Sequence, residues 1–197
     1  MTRTQIIAIT TAFGALLLGG AAAGGDGSSP QLQRLMQALA QHQHDHVVFT
    51  EHQFIAVLDR PLESSGELFF DAPDRLEKRT LVPKPESVVL EKGNVVIRRG
   101  AKIRSFALSD YPQFGLVIDS IRATVGGNLE SLQRYYHLEF QSGAVNWTLT
   151  LVPRSKALAA QIVAIRVVGA AEVIREIQIR RSNGDRSDML IEALPGG

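Results

Sequence analysis

The sequence contains no cysteine, and this absence excludes several kinds of site at once. None of the 197 residues is cysteine, so the chain can form no disulfide, no thiolate metal site and no cysteine nucleophile. It also offers no cysteine to which an N-terminal lipid anchor could be attached. If the protein is exported, we therefore expect it to be free and not anchored by an acyl chain of its own.

An excess of charge of one sign is also missing. Lys and Arg total 21, Asp and Glu total 20, and the formal net charge is +1. A near-neutral chain has no strong field with which to attract the phosphates of nucleic acids or anionic lipid surfaces. We therefore expect no nucleic-acid partner. The remaining composition, 45% hydrophobic and 21% charged, is ordinary for a globular domain.

An uncharged apolar run lies at the N-terminus. Arg3 precedes the stretch from Ile6 to Leu18, and Ala21 to Ala23 supply a small-residue cleavage pattern. The run is shorter than the ~20 residues that a membrane-spanning helix needs. It predicts export to the periplasm with cleavage, although an uncleaved anchor helix is an alternative. The predicted division is a signal peptide over 1–23, a linker over 24–29 and one domain over 30–197.

Hydrophobic periodicity predicts one helix followed by many strands. Ser29 and Pro30 favour a helix start, and apolar residues recur at helical spacing as far as Ala40. From Val47 onward, runs rich in Val, Ile and Phe alternate with turn residues. The predicted strands cover 47–58, 66–71, 75–81, 87–90, 95–98, 102–108, 136–141, 145–151, 162–168, 173–181 and 188–191.

A helical insert interrupts the strands. An apolar stripe runs from Phe114 to Val125, and Asn128 can cap a second short helix over 129–134. We predict a mainly β (α+β) fold: a strongly curved antiparallel sheet of about eleven strands that forms a half-open barrel, with a helical lid or plug on its concave face. Short helices leave room for a cavity there, but a solid core or a two-layer sandwich is compatible with the same pattern.

Histidines crowd one short segment after the first helix. His42 and His46 have the i,i+4 spacing that could place two metal ligands on one helix face. The run from His42 to His46 also falls one residue short of the H-x-H-x-D-H pattern of metallo-β-lactamases, and only His137 lies beyond His52. We predict no metal site, and a metal-dependent enzyme that uses this cluster is a minor alternative.

No other pattern selects a catalytic centre. The sequence has no G-x-S-x-G nucleophile elbow and no glycine-rich phosphate loop that opens a helix. Glu67, Glu77, Glu86 and Glu139 fall in the β-rich part of the chain, but nothing pairs two of them. We therefore expect no catalytic residue, no cofactor and no enzymatic activity.

Large apolar side chains fall on the predicted strands, where alternation places many of them on one face. They could fill a core. They could also line a cavity for acyl chains, in which each buried CH₂ contributes ~0.8 kcal/mol. The aromatic members of this set are Phe49, Phe54, Phe69, Phe70, Phe140 and Trp147.

Three segments resemble the LolA-like family of lipoprotein carriers. Phe49-Thr50-Glu51, after an amphipathic helix, looks like the F-T-Q start of that family. The segment 66–73 resembles its G-x-L strand that leads to a proline, and 85–93 resembles its P-x-x hairpin. The likeness is strongest over 47–96 and weakens after that. The chain departs from the family archetype at Ala72, where the archetype has arginine, and at Lys78, where it has tryptophan.

The resemblance implies a periplasmic carrier that binds acyl chains of lipoproteins or other lipids in an apolar cavity and shuttles them between the inner and outer membrane. Its implied partners are the acylated cargo, an inner-membrane exporter and an outer-membrane acceptor, with transient membrane contact and a monomeric state. The departures at Ala72 and Lys78 fit a divergent member that serves another exporter or lipid. The predicted lipid-binding residues are Leu39, Phe49, Phe54, Leu68, Phe70, Phe114, Ile118, Ile121, Phe140, Trp147 and Leu149.

One further alternative comes from a different class of protein. If the interior of the barrel is filled, the protein would act through its surface as a periplasmic envelope-assembly factor. A dry, closed interior and no uptake of lipid would favour that alternative over a carrier.

Overall fold

The structure is a computed structural model that describes residues 25–26 and 29–194. The signal peptide predicted over 1–23 lies outside the described residues, as do positions 24, 27 and 28 of the predicted linker. Gly25–Asp26, from that same linker segment, pair with a strand of the sheet. Within the described ranges, no helix combines the length and the apolar character needed to cross a bilayer.

One antiparallel sheet organises the described chain. Its strands are β1 (Gly25–Asp26), β2 (His44–Phe54), β3 (Leu62–Asp71), β4 (Arg75–Val82), β5 (Glu86–Glu91), β6 (Asn94–Arg99), β7 (Lys102–Ala107), β8 (Tyr136–Ser142), β9 (Asn146–Pro153), β10 (Ile162–Ala170), β11 (Val173–Arg181) and β12 (Arg186–Ala193). The order across the sheet is β1-β8-β9-β10-β11-β12-β2-β3-β4-β5-β6-β7. The sheet therefore stays open, with β1 and β7 as its two edges. β1 has only two residues, so the prediction of about eleven strands in an open sheet is confirmed.

The helices begin where local sequence signals predict. They are α1 (Pro30–Leu39), α2 (Pro112–Val125), α3 (Leu129–Tyr135) and α4 (Lys156–Ala159), with a 3₁₀ turn at Leu108–Asp110. Ser29 caps α1 by accepting a hydrogen bond from the Leu32 amide at 3.2 Å. Asn128 caps α3 in the same way through the Ser131 amide at 3.0 Å. The single turn α4 was not predicted, because four residues are too few to show a helical period.

The second strand differs from its predicted bounds. It was expected over 47–58, but it runs from His44 to Phe54. After Phe54 the chain turns: the Leu58 amide donates to the Ile55 carbonyl at 2.9 Å, and the Ala56 amide donates to the Asp185 carboxylate at 3.0 Å. These bonds replace the ladder, so the apolar residues that follow Phe54 belong to a loop.

The interior contains two apolar clusters. The larger one packs α1, α2 and α3 against strands β8 to β12, and the smaller one lies against β5, β6 and β7. The helix α2 contributes Val117 to the larger cluster and Ile118 to the smaller one. It therefore bridges the two halves of the sheet, in the part of the chain that connects β7 to β8. Fully buried members of the larger cluster include Leu32, Met36, Leu132, Tyr136, Leu149, Leu151 and Ile165.

The end of α2 lies directly against the end of α1. Gly127 has a φ of +65°, and a Cβ at this position would be 2.1 Å from the Met36 carbonyl oxygen and 2.6 Å from the Ala40 amide nitrogen. Both the left-handed backbone and the close approach require glycine. This contact fixes where α2 leaves the sheet.

We predict that Gly127→Ala lowers the free energy of unfolding by about 3 kcal/mol or more, because it adds steric overlap to an unfavourable backbone conformation. Gly100→Ala is the matched control. Gly100 also has a positive φ, +56°, but no atom lies within 4 Å of the position of its Cβ, so this change should cost only ~1–2 kcal/mol. Urea denaturation measures both, and equal losses would contradict a tight contact between the two helices.

Candidate functional site

A cavity of about 230 Å³ lies between the inner face of the sheet and the helix α2. Leu39 at the end of α1, together with Ile121 and Val125 of α2, forms one side of it. Strands β2, β3, β4, β11 and β12 form the other side. Their apolar lining residues are Val47, Leu68, Phe69, Phe70, Leu76, Val173, Ile174, Ile177, Ile179, Met189 and Ile191.

Strand register explains why these side chains share one face. Val47 pairs with Leu68, and Leu68 pairs with Lys78 on the next strand. On the other side of β2, Glu51 pairs with Met189 of β12. Residues that are directly opposite each other point to the same face of a sheet, and alternate residues along one strand do so as well. The inward row of β2 therefore contains Val47 and Glu51.

A partly buried ion pair interrupts this apolar wall. Glu51 is only 4% exposed, and its Oε2 atom accepts a hydrogen bond from the Nζ atom of Lys78. The hydroxyls of Ser64 and Ser187 donate to the same carboxylate, Ser64 at 3.4 Å. The Lys78 ammonium also lies 4.8 Å from the centre of the Phe49 ring. One polar group of four side chains is thus built into a cavity whose other sheet residues are mostly aliphatic.

A glycine makes this ion pair possible. Glu51 lies on β2 opposite Ser64, and Lys78 lies on β4 opposite Leu68, with Gly66 between Ser64 and Leu68 on the intervening strand. A Cβ on Gly66 would be 2.0 Å from the Arg79 carbonyl oxygen. Because this inward position carries no side chain, Lys78 can cross β3 and reach Glu51.

The surroundings keep Glu51 ionised. Burial acts to raise the pKa of this carboxyl, but the Lys78 ammonium and the hydrogen bonds from Lys78 and Ser187 lower it by more in total. The net result is a pKa below the ordinary value of 4.5. Glu51 therefore faces Lys78 as a carboxylate at neutral pH.

We predict that Glu51→Gln destabilises the protein by an amount that depends on pH. Because the pKa of Glu51 is lower in the folded than in the unfolded chain, its contribution is fully present above pH ~4.5 and disappears as the pH falls through the folded-state value. The difference in free energy of unfolding between the two proteins should therefore be constant near neutral pH and shrink below pH ~4.5. Urea titrations at a series of pH values measure it, and a pH-independent difference would contradict a buried carboxylate.

Four of the eleven predicted lipid-binding residues line the cavity, namely Leu39, Leu68, Phe70 and Ile121. Phe49 is buried beside it, under the Lys78 ammonium. Phe54 instead is 37% exposed and carries the Arg186 guanidinium 4.0 Å from its ring centre. The side chain of Phe114 lies outside the described part of the structure.

The other four predicted residues pack into the two apolar clusters. Phe140, Trp147 and Leu149 belong to the larger cluster and Ile118 packs against the smaller one. Trp147 is pressed against Gly169, where a Cβ would be 2.2 Å from the indole ring. Alternation identified the inner face of β8 and β9 correctly, but it could not show that helices fill the space above that face.

Sequence reasoning also missed several lining residues. The aliphatic residues of β11 and β12 were recognised as strand residues, but aromatic side chains were favoured as the lining. The i,i+2 spacing of Ile177 with Ile179 and of Met189 with Ile191 is the signal that could have found them. No spacing in the sequence indicates the contact between Glu51 and Lys78. They lie on β2 and β4, and the contact depends on how both strands pair with β3, which lies between them.

A second, more polar groove of about 590 Å³ adjoins the cavity. His42 and Phe70 line both spaces. The groove lies between the end of α1, the turn from β3 to β4, and the helices α2 and α3, and its charged side chains include Arg122 and Arg134. Arg122 pairs with Asp119 at 2.9 Å.

The histidine segment does not form the helix face considered for a metal. The helix α1 ends at Leu39, so His42 and His46 are not neighbours on a helix. His42 lies 3.3 Å from the Asp45 carboxylate, and His44 lies 3.0 Å from Asp71. Among the residues that the structure describes, no group of three or more His, Cys, Asp or Glu side chains could hold a metal ion.

Residues 21–194 match the family described as outer membrane lipoprotein carrier protein LolA-like. The chain belongs to this family, and the resemblance seen in its N-terminal strands is thereby confirmed. No curated protein matches the sequence.

Several solved structures are similar to this chain at low sequence identity. A LolA superfamily protein of Nitrosomonas europaea is 6% identical, with 82% of this chain and 91% of that chain covered and a TM-score of 0.41. The lipoprotein LppX of Mycobacterium tuberculosis is 11% identical, with 86% and 99% covered and a TM-score of 0.45. A chain of the MucA/MucB complex of Pseudomonas aeruginosa is 12% identical, with 84% and 59% covered and a TM-score of 0.46.

Proposed function

We propose that this protein is a non-enzymatic periplasmic carrier that binds acyl chains of lipoproteins or other lipids and shuttles them between the inner and outer membrane. The observation that carries the proposal is the apolar cavity between the sheet and α2. Membership of a family described as lipoprotein carriers supports it. The signal-peptide pattern over 1–23 supports export to the periplasm.

The size of the cavity indicates that loading requires movement. An engineered cavity of about 150 Å³ holds one benzene molecule, and pockets for drug-sized ligands measure about 300–1,000 Å³. The cavity of about 230 Å³ therefore has room for one short apolar segment. A longer acyl chain would need α2 to move away from the sheet, because α2 contributes Ile121 and Val125 to the wall and no strand pairing holds it in place.

A hydrogen bond between hydroxyls restrains that movement. The side chains of Ser120 on α2 and Tyr136 at the start of β8 lie 2.7 Å apart, and Tyr136 is fully buried. Burial raises the pKa of the Tyr136 phenol, while the bond to Ser120 acts to lower it. This hydrogen bond connects α2 to strand β8, in the part of the sheet against which the larger apolar cluster packs.

We predict that Tyr136→Phe lowers the free energy of unfolding by ~1 kcal/mol and speeds the release of a bound acyl probe, because α2 loses one tie to the sheet. The Ser120 hydroxyl still donates to the Leu116 carbonyl, so the change leaves no buried hydroxyl without a hydrogen-bond partner. Tyr135→Phe is the matched control, since Tyr135 is 40% exposed. Stopped-flow release of a fluorescent fatty acyl probe measures the effect, and equal rates in the two variants would argue against α2 as the moving wall.

Transport by such a carrier depends on differences in affinity. A donor that binds the cargo less tightly than the carrier gives it up, and an acceptor that binds it more tightly removes it. The proposed donor is an inner-membrane exporter and the proposed acceptor lies at the outer membrane, with transient membrane contact at each end. No nucleotide or cofactor is needed for these steps, and a monomer is sufficient.

We predict that Leu68→Glu abolishes binding of acyl ligands, because it places a carboxylate in the apolar wall where a chain would lie. Phe70→Glu should have the same effect, and Phe70 is only 3% exposed. Leu190→Glu is the control, since Leu190 lies on β12 with 48% of its surface exposed. Binding is measured by displacement of a fluorescent acyl probe from folded variants. Undiminished binding by folded Leu68→Glu would count against the cavity.

Native mass spectrometry of the mature protein, purified gently from a bacterial periplasm, tests the proposal directly. A stoichiometric acylated ligand, identified after solvent extraction, is the expected result. A ligand-free mass that persists after incubation with lipids and lipopeptides would overturn the proposal. The protein would then act through its surface in envelope assembly.

A further inference from the structure

The ion pair of Glu51 and Lys78 is an unusual part of the wall of an apolar cavity. Removing two charges from water is costly, and their attraction often fails to repay that cost, so a buried pair contributes little net stability. Apolar side chains of similar volume at both positions would serve a purely hydrocarbon ligand better. The presence of the pair is therefore better explained by the ligand that the cavity binds than by stability.

The two partners differ in what they can still offer to a ligand. The carboxylate of Glu51 already accepts hydrogen bonds from Lys78, Ser64 and Ser187. An ammonium has three N–H donors, and Lys78 gives one of them to Glu51. The side chain of Lys78 is also 29% exposed, against 6% for Glu51, and Lys78 lines the cavity. A ligand therefore meets a hydrogen-bond donor at this point of the wall.

The charges that line the cavity disfavour a negatively charged hydrogen-bond acceptor on the ligand. Among the described residues that line the cavity, three carry a carboxylate, namely Asp45, Glu51 and Glu172, and one carries an ammonium, namely Lys78. Lys78 is already neutralised by its contact with Glu51. A ligand carboxylate that approached Lys78 would lie beside the Glu51 carboxylate, and the two like charges would repel each other. A neutral carbonyl oxygen accepts the same hydrogen bond without this repulsion.

We propose that Lys78 determines the ligand specificity of the cavity: it donates a hydrogen bond to the neutral carbonyl oxygen of an esterified or amide-linked acyl chain, while Glu51 disfavours free fatty acids. This inference rests on the proposed carrier function and adds the class of acyl group that the carrier selects. Free fatty acids would then bind weakly to the carrier, even though their hydrocarbon chains match those of esterified lipids.

Competition against a fluorescent acyl probe at neutral pH tests this selection with methyl dodecanoate, dodecanoate and dodecane as ligands of identical chain. The wild-type protein should bind methyl dodecanoate at least about tenfold more tightly than either of the others. This comparison needs no variant. Equal affinities for the three ligands, or a preference for dodecanoate, would overturn the inference alone. No binding of any of them would overturn the carrier function as well.

Two variants assign the selection to the ion pair. Glu51→Gln keeps the shape of the side chain but releases Lys78 from its counter-charge, so the affinity for dodecanoate should rise by about tenfold. Glu51→Met combined with Lys78→Met removes the Lys78 donor without leaving a carboxylate alone or adding an amide N–H donor, and the ester should lose its advantage over dodecane. Lys84→Met, at an exposed position, is the control for a Lys→Met change. Unaltered affinity ratios in both variants would show that the pair is merely structural and would overturn the inference.

Discussion

The fold depends on covering the inner face of an open sheet. A sheet with one apolar face must bury that face against another layer, and here the strands leave β1 and β7 unjoined at the two edges. The covering layer consists of short helices, of which α2 reaches both apolar clusters. Closure of this interior therefore depends on one helix of fourteen residues, held by side-chain contacts and not by a backbone ladder.

The cavity follows from where the helices pack closely and where they do not. The helices α1 and α3 pack in the larger apolar cluster with strands β8 to β12, and residues such as Leu149 and Ile165 are almost completely buried there. The approach of Gly127 to the end of α1 fixes α2 on that side. Toward β2, β3 and β4, the described side chains of the same helix that line the cavity are Ile121 and Val125. These two side chains leave a space that the sheet does not fill from its side.

Sequence patterns predicted the fold more fully than the site. Alternation in segments such as 145–151 and the caps at Ser29 and Asn128 are local signals, and the elements that they predict are present. The site depends on distant pairings. Trp147 and Leu68 both point inward from strands, yet one packs against Gly169 and the other faces a cavity. That difference depends on what packs against each strand, which no local pattern contains. The contact of Glu51 with Lys78 likewise depends on Gly66, on the strand between them.

A polar group in the cavity also bears on release, which a carrier needs as much as binding. Each buried CH₂ adds ~0.8 kcal/mol, so a wholly apolar cavity would hold long chains ever more tightly as their length increases. The ammonium and carboxylate of Lys78 and Glu51 lower the affinity of that part of the wall for hydrocarbon, because contact with a chain cannot replace the polar contacts of the pair. A ligand carbonyl restores one of those contacts. The affinity of the cavity for a ligand then depends on the ligand's head group as well as on the length of its acyl chain. An outer-membrane partner that draws the ligand carbonyl away from Lys78 would leave only the chain in the cavity, which holds it less tightly.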